Sequence, residues 1–228
     1  MKLAIIPARG GSKRIPRKNV LPFCGRPMIE WSLRAAIQSR IFDRIIVSTD
    51  DPEIADVALK AGVDVPFMRP PELSDDRTPT MPVIQHAIEF VQAQGNRPEE
   101  VCCIYATAPF VMADDLQRGH AMLRRSGAQF AFSATSFPFP IQRAMRILPS
   151  GRVQMFHPEH ALTRSQDLEE AYHDCGQFYW GTVAGWLSNE PIIGPNSAAV
   201  LLPRHRVQDI DTQEDWIRAE AMFRALDK

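Results

Sequence analysis

Leu3-Ala4-Ile5-Ile6-Pro7-Ala8-Arg9-Gly10-Gly11-Ser12-Lys13-Arg14-Ile15-Pro16-Arg17-Lys18-Asn19 runs from an apolar stretch into a basic, glycine-containing loop. Leu3 to Pro7 predicts a strand, because the run is short and stops at a proline. Residues 1–29 hold seven Lys or Arg and no Asp or Glu, whereas the whole chain has a net charge of −1. Such a local excess at a strand end is repulsive unless an anion occupies it. Gly10 and Gly11 are expected to let the backbone turn and point N–H groups inward, as a phosphate nest requires. A charge run is more often a solvated turn; the place directly after the first strand and the paired glycines favour phosphate. No G-x-x-x-x-G-K-[ST] loop occurs. G-x-G-x-x-G is also missing, although Asp50 stands where that motif wants an acid. What remains is a triphosphate site built from Arg and Lys.

Strand and helix patterns alternate outward from this loop. Arg44 to Ser48, Val101 to Tyr105 and Phe130 to Ser136 predict strands, with Asp64 to Met68 a weaker candidate. Asp51-Pro52 opens a helix that Gly62 stops; Met81 to Gln94 and Asp114 to Ser126 predict two more. This alternation implies a mainly parallel sheet covered by helices, with ligands bound beyond the carboxyl ends of its strands. After Phe137 the rhythm changes. Pro138 and Pro140 interrupt it, Arg146 to Phe156 predicts a hairpin turning at Ser150-Gly151, and His157 to Asp174 follows no period. The insertion at about 138–174 is therefore expected to protrude from a single domain spanning 1–228. Gln177 to Val183 and Ala199 to Leu202 return to strand, and Trp216, Ala219, Phe223 and Leu226 mark a final helix.

Composition narrows the classes. Hydrophobic residues make up 45% and charged residues 23%, enough for a packed core. Near-neutral charge gives no reason to expect nucleic-acid binding, and no apolar run approaches a membrane span or a signal-peptide core. Cys24, Cys102, Cys103 and Cys175 form no C-x-x-C pair and read as reduced thiols of a cytoplasmic protein. The six histidines lack ligand spacing.

The loop from Ala4 to Asn19 resembles the signature of the CMP-sialic acid synthetases. Ser48-Thr49-Asp50, Arg69-Pro70-Pro71-Glu72-Leu73, Thr107-Ala108-Pro109 and Asp209-Ile210-Asp211-Thr212 extend the resemblance over the chain. It implies a Rossmann-like nucleotidyltransferase fold, α/β with a small dimerisation arm, working as a homodimer with the arm near the partner's site. It also implies transfer of CMP from CTP to the anomeric hydroxyl of a nine-carbon sugar acid, with release of pyrophosphate. Arg9 and Lys18 are then the catalytic cations. Ala8, Gly10, Gly11, Ser12, Asn19, Ser74, Asp76 and Thr80 join them around the nucleotide, the last three on a polar loop suited to cytosine. Asp209 and Asp211 alternate onto one face and suit Mg²⁺, for which Mn²⁺ can substitute; capping of the last helix by Asp211 or Thr212 with Asp215 is the competing role.

Phe137 to Arg143 and Thr163 to Trp180 resemble the pseudaminic acid branch of that family. The sialic acid enzymes have Gln where this chain has Tyr105, and an arginine near His173. Tyr105, Thr107, Arg143, Arg164, Gln177 and Tyr179 are the expected sugar contacts, with the two arginines suited to a carboxylate. Tyr179 and Phe178 serve equally well as strand core. Legionaminic acid or N-acetylneuraminate is the alternative substrate, and a non-catalytic nucleotide-binding protein the alternative of another class.

Overall fold

A computed structural model describes residues 1–188 and 190–226. β1 (Lys2–Pro7) is buried along both faces, so its continuous apolar run has no polar side to show. The basic loop leads into a two-stranded ribbon, β2 (Pro22–Phe23) and β3 (Arg26–Pro27), and then α1 (Met28–Ser39). Sequence patterning missed α1 because its ends lack the usual punctuation. Pro27 supplies no side-chain cap, and Arg40, not glycine, closes it in the left-handed region at φ 54°.

β4 (Arg44–Ser48) precedes α2 (Pro52–Lys60), whose start is fixed by the Asp51 carboxylate accepting from the Glu53 and Ile54 N–H groups at 2.9 and 3.1 Å. Asp64 to Met68 is not a strand. Only two isolated bridges form, Ile46 with Asp64 and Thr49 with Met68, because Pro66 between them has no N–H to continue a ladder. α3 (Thr80–Ala93) starts after Pro79, so Thr80 is its first residue and not its cap. β5 (Glu100–Ile104), α4 (Ala113–Ser126) and β6 (Phe130–Ser136) follow as expected.

The insertion carries the hairpin β7 (Met145–Ile147) and β8 (Val153–Met155), turned by Gly151 at φ 77°. β9 (Tyr172–Thr182) begins five residues before the expected Gln177, inside the stretch that showed no period. Its pairing with β6 explains the concealment: between the Phe132–Tyr179 and Ala134–Asp174 pairs, two steps on β6 span five on β9. That bulge scrambles the alternation a regular strand would display. α5 (Val183–Trp186), β10 (Ser197–Leu201) and α6 (Gln213–Leu226) complete the chain.

The six-stranded sheet has the order β10-β6-β9-β5-β1-β4, parallel except for β9, which pairs antiparallel with β5 and β6. Ala4, Ile6, Val47 and Cys102 face α1, α2 and α4. Leu3, Ile5, Ile46 and Val101 face α3 and Trp186. A third cluster packs Ile15 of the basic loop with Phe23, Met28, Ile210, Trp216 and Ala219, tying that loop to α6. Since β4 lies to one side of β1 and β5 to the other, the connections part at the carboxyl end of β1 and leave a crevice there.

Candidate active site

A cavity of about 580 Å³ opens in this crevice. The loop after β1 lines it with Arg9, Ser12, Lys13, Arg14, Lys18 and Asn19. Asp76, Thr80, Tyr105, Thr107 and Asp211 close it from other elements. Nine of the expected site residues thus converge: Arg9, Ser12, Lys18, Asn19, Asp76, Thr80, Tyr105, Thr107 and Asp211.

The loop's charge is already answered within the chain, which corrects the expectation that only a bound anion could relieve it. Arg9 and Lys13 pair with Asp76, Arg17 with Asp51 and Glu53, and Arg14 with Asp211 at 2.8 Å. Lys18 donates to the Ile210 carbonyl at 2.5 Å and lies 3.5 Å from the Asp211 carboxylate. Hydrogen bonds from Lys13 and then Arg9 hold Asp76 below the ordinary carboxylate range.

The glycines also act differently from the nest expectation. Neither Gly10 nor Gly11 has a positive φ. The Gly10 N–H donates to Asp50 at 3.0 Å, and a Cβ at Gly10 would come within 2.5 Å of the Asp51 carboxylate. Close approach to Asp51 requires the glycine, and no turn does. Ala8 is buried and donates its N–H to the Ser48 carbonyl, so it supports the loop from below.

Asn19 is 7% exposed. Its amide donates to the Arg9 carbonyl at 2.9 Å, leaving a buried Oδ1 without a protein partner beside the cavity. Arg69, not among the expected site residues, also lines the cavity. Its guanidinium reaches the Ser48 carbonyl and hydroxyl, and burial lowers its pKa to about 10 against the pull of Asp50, so it stays cationic. Ser74 lies outside: its hydroxyl is used on the Pro70 carbonyl.

The competition for Asp211 resolves through its neighbours. The Thr212 N–H donates to Asp215 at 2.8 Å and the Asp215 N–H to the Thr212 hydroxyl at 3.2 Å, a reciprocal cap at the start of α6. Asp209 and Asp211 are therefore not the capping residues. They flank buried Ile210, on a segment without regular secondary structure and not on a strand end. The surrounding protein and then the Asp211 charge raise the pKa of Asp209; since its side chain still reaches solvent, the like charge is the more telling cause. Asp211 lines the nucleotide cavity and Asp209 does not; as hard-oxygen donors of like charge near Lys18, the pair has the chemistry a divalent cation takes.

A second cavity of about 380 Å³ shares Thr80 and Tyr105 with the first. Tyr179, 4% exposed, lines it, whereas Phe178 is pure core. Gln177 lines neither cavity. It is 3% exposed and donates to the Arg206 carbonyl at 2.7 Å, so it steadies the segment leading to Asp209. Arg206 is itself held by buried Asp115 at 2.5 and 3.1 Å. Arg143 and Arg164 also line neither cavity of their own chain. Both sit on the insertion, bonded to the Thr163 carbonyl and to Asp167 respectively.

Comparison with known proteins places these features in a wider set. The family model described as Cytidylyltransferase matches residues 3–223. A pseudaminic acid cytidylyltransferase of Campylobacter jejuni is 46% identical over 222 residues, covering 97% of this chain and 96% of the relative. A Helicobacter pylori protein named as pseudaminic acid cytidylyltransferase and UDP-2,4-diacetamido-2,4,6-trideoxy-beta-L-altropyranose hydrolase is 31% identical over 227 residues. That match covers 99% of this chain and 43% of the longer relative. Among solved structures, a CMP:2-keto-3-deoxy-manno-octonic acid synthetase complexed with CTP superposes with a TM-score of 0.70 at 15% identity, covering 99% of both chains.

Proposed function

The chain belongs to the cytidylyltransferase family, and we propose that it transfers CMP from CTP to the anomeric hydroxyl of pseudaminic acid. The observation that carries this reading is the convergence of Arg9, Lys13, Lys18 and Arg69 on one cavity at the carboxyl end of β1. The sugar follows from the near-full-length similarity to the Campylobacter enzyme.

In this reaction the sugar oxygen attacks the α-phosphorus, the bond to pyrophosphate breaks, and negative charge grows on the leaving group. Arg9, Lys13 and Lys18 are cations already assembled where that charge develops, so their stabilisation increases along the reaction. For the phosphates to reach them, Asp76 must give up Arg9 and Lys13. The unpartnered Asn19 Oδ1 suits a hydroxyl donor such as the ribose. Positioning of the two substrates supplies much of the remaining rate. Asp209 and Asp211 would hold Mg²⁺, which when bound neutralises phosphate charge and orients the polyphosphate. Lys18, which now shares Asp211, would be the ammonium left to meet phosphate if that carboxylate were taken up by the cation. The buried thiols Cys102 and Cys103 and the use of CTP agree with work in the cytoplasm.

The insertion supports a homodimer. Phe139, Ile147 and Leu162 are 79%, 77% and 97% exposed, an apolar surface that one chain leaves uncovered. Exchange of the arm would carry Arg143 and Arg164 to the partner's cavity, where a guanidinium suits the sugar carboxylate.

The test is pyrophosphate release from CTP and pseudaminic acid with Mg²⁺, against legionaminic acid and N-acetylneuraminate, with UTP in place of CTP as the base control. Turnover is expected with CTP and pseudaminic acid first. Equal turnover with UTP would remove the cytidylyl reading.

A further inference from the structure

The second cavity is apolar over much of its wall, through Met81, Pro191, Ile192 and Ile193, and has one ionisable carboxylate, Asp174. No Lys, Arg or His lines it among the described residues. The β9 bulge brings Asp174 there. Gly176, at φ 61°, donates its N–H to one carboxylate oxygen at 3.0 Å, and the Tyr179 hydroxyl donates to the other at 2.5 Å. Burial, with the charges of Tyr105 and Asp174 behind it, raises the Tyr179 pKa, which keeps that phenol a donor. Tyr105 in turn bonds Thr80 at 2.9 Å, completing the polar edge that faces the nucleotide cavity.

A carboxylate with two protein donors retains lone pairs for a further one. The two cavities therefore differ in the balance of sign: the nucleotide side sets Arg9, Lys13, Arg14, Lys18 and Arg69 against Asp76 and Asp211, and the far side offers Asp174 alone. A sugar acid entering between them is oriented by charge, its own carboxylate kept away from Asp174. The far end then needs one donor on an otherwise apolar body. An acylamino group meets that need with its N–H and its methyl, whereas a run of hydroxyls would leave polar atoms unsatisfied against Ile192 and Ile193.

We propose that Asp174 is a specificity-determining residue, accepting the N–H of an acylamino group on the sugar and excluding acidic groups from that end. This rests on the cytidylyltransferase reading of the site. The test pairs two enzymes with two kinds of substrate: wild type and Asp174→Ala, pseudaminic acid and its analogues with one acylamino group replaced by hydroxyl. With pseudaminic acid, Asp174→Ala is expected to lower kcat/KM for the sugar about 10- to 100-fold while KM for CTP stays put. With the analogue lacking the relevant N–H, wild type should show a similar loss and the variant no further one. Asp174→Asn, whose Oδ1 can accept from the Gly176 N–H while its amide donates to the Tyr179 oxygen, controls for folding through its melting temperature and should lose sugar selectivity without losing stability.

Full multiplication of the two losses, or an unchanged KM for the sugar in both variants, would overturn the proposal while leaving the transferase intact. No wild-type turnover of CTP with pseudaminic acid would overturn the transferase reading first, and this one with it.

Discussion

The basic loop and the insertion both carry surface that ought to be unfavourable, and the chain treats them in opposite ways. In the loop, each of Arg9, Lys13, Arg14, Arg17 and Lys18 has found a carboxylate from elsewhere: Asp76, Asp211, Asp51 or Glu53. In the insertion, Phe139, Ile147, Val153 and Leu162 have found no cover in their own chain. Charge can be compensated by a few side chains at short range, whereas apolar area needs a surface of matching size. The loop's charge is thus answered within one chain, whereas the arm's apolar surface is left for the proposed partner to cover.

The sharpest way to break this contrast is at Asp209 and Asp211. Should these carboxylates hold Mg²⁺ and not merely balance the loop, Asp209→Asn or Asp211→Asn lowers turnover by about a thousandfold or more, since metal stabilisation of phosphoryl transfer is worth several kcal/mol. Initial rates across a Mg²⁺ and Mn²⁺ titration check this, with partial rescue expected at high metal. Melting temperatures should hardly move, because Thr212 and Asp215 cap α6 without them. Near-normal turnover with an unchanged metal requirement would return both residues to a purely electrostatic role.

Arg9→Met tests the catalytic half of the loop and is expected to reduce kcat by roughly a hundredfold, the usual scale for one donor to a developing charge. Steady-state kinetics showing only a higher KM for CTP would reduce Arg9 to a ground-state contact. On the arm, Ile147→Asp with Leu162→Asp should weaken self-association at least tenfold by sedimentation, leaving nucleotide affinity in place. A chain that sediments as a monomer before any substitution would dissolve the comparison from the other side.

The smallest effect belongs to Asp76. Replacing it with Asn removes the internal competitor for Arg9 and Lys13, and pyrophosphate should bind several-fold more tightly by calorimetry at low ionic strength. The gain should fade as salt screens these half-exposed charges. Weaker binding would mean that Asp76 holds the ligand itself.

Contiguity decided how much of this could be read from sequence. The loop from Arg9 to Asn19 keeps its chemistry-bearing residues together, and Gly151 marks its hairpin by residue type alone, so both were legible. Asp76 and Asp211 stand out in their own short stretches, as a loop acid and as half of an alternating pair, but their bases are remote in sequence and no local pattern announces those pairings. Gln177 was expected at the sugar through the resemblance of Thr163 to Trp180, and the β9 bulge that decides which residues there line a cavity has no signature in the sequence. Arg69 was visible as part of a motif, but its place in the cavity depends on the Ser48 carbonyl it grips. Ile192 and Ile193 line the second cavity from a coil segment after α5, where neither periodicity nor charge draws notice.

Asp76 also bears on what the resting protein ignores. Inside a cell the loop meets many anions carrying one or two charges, and each must outbid a carboxylate already tethered at zero translational cost. A triphosphate brings more charge to that contest than such anions do. A CMP-linked product keeps a single phosphodiester, too little to hold both Arg9 and Lys13 against Asp76. On the proposed reaction, the same side chain would set an admission threshold for the incoming nucleotide and help to shed the outgoing one.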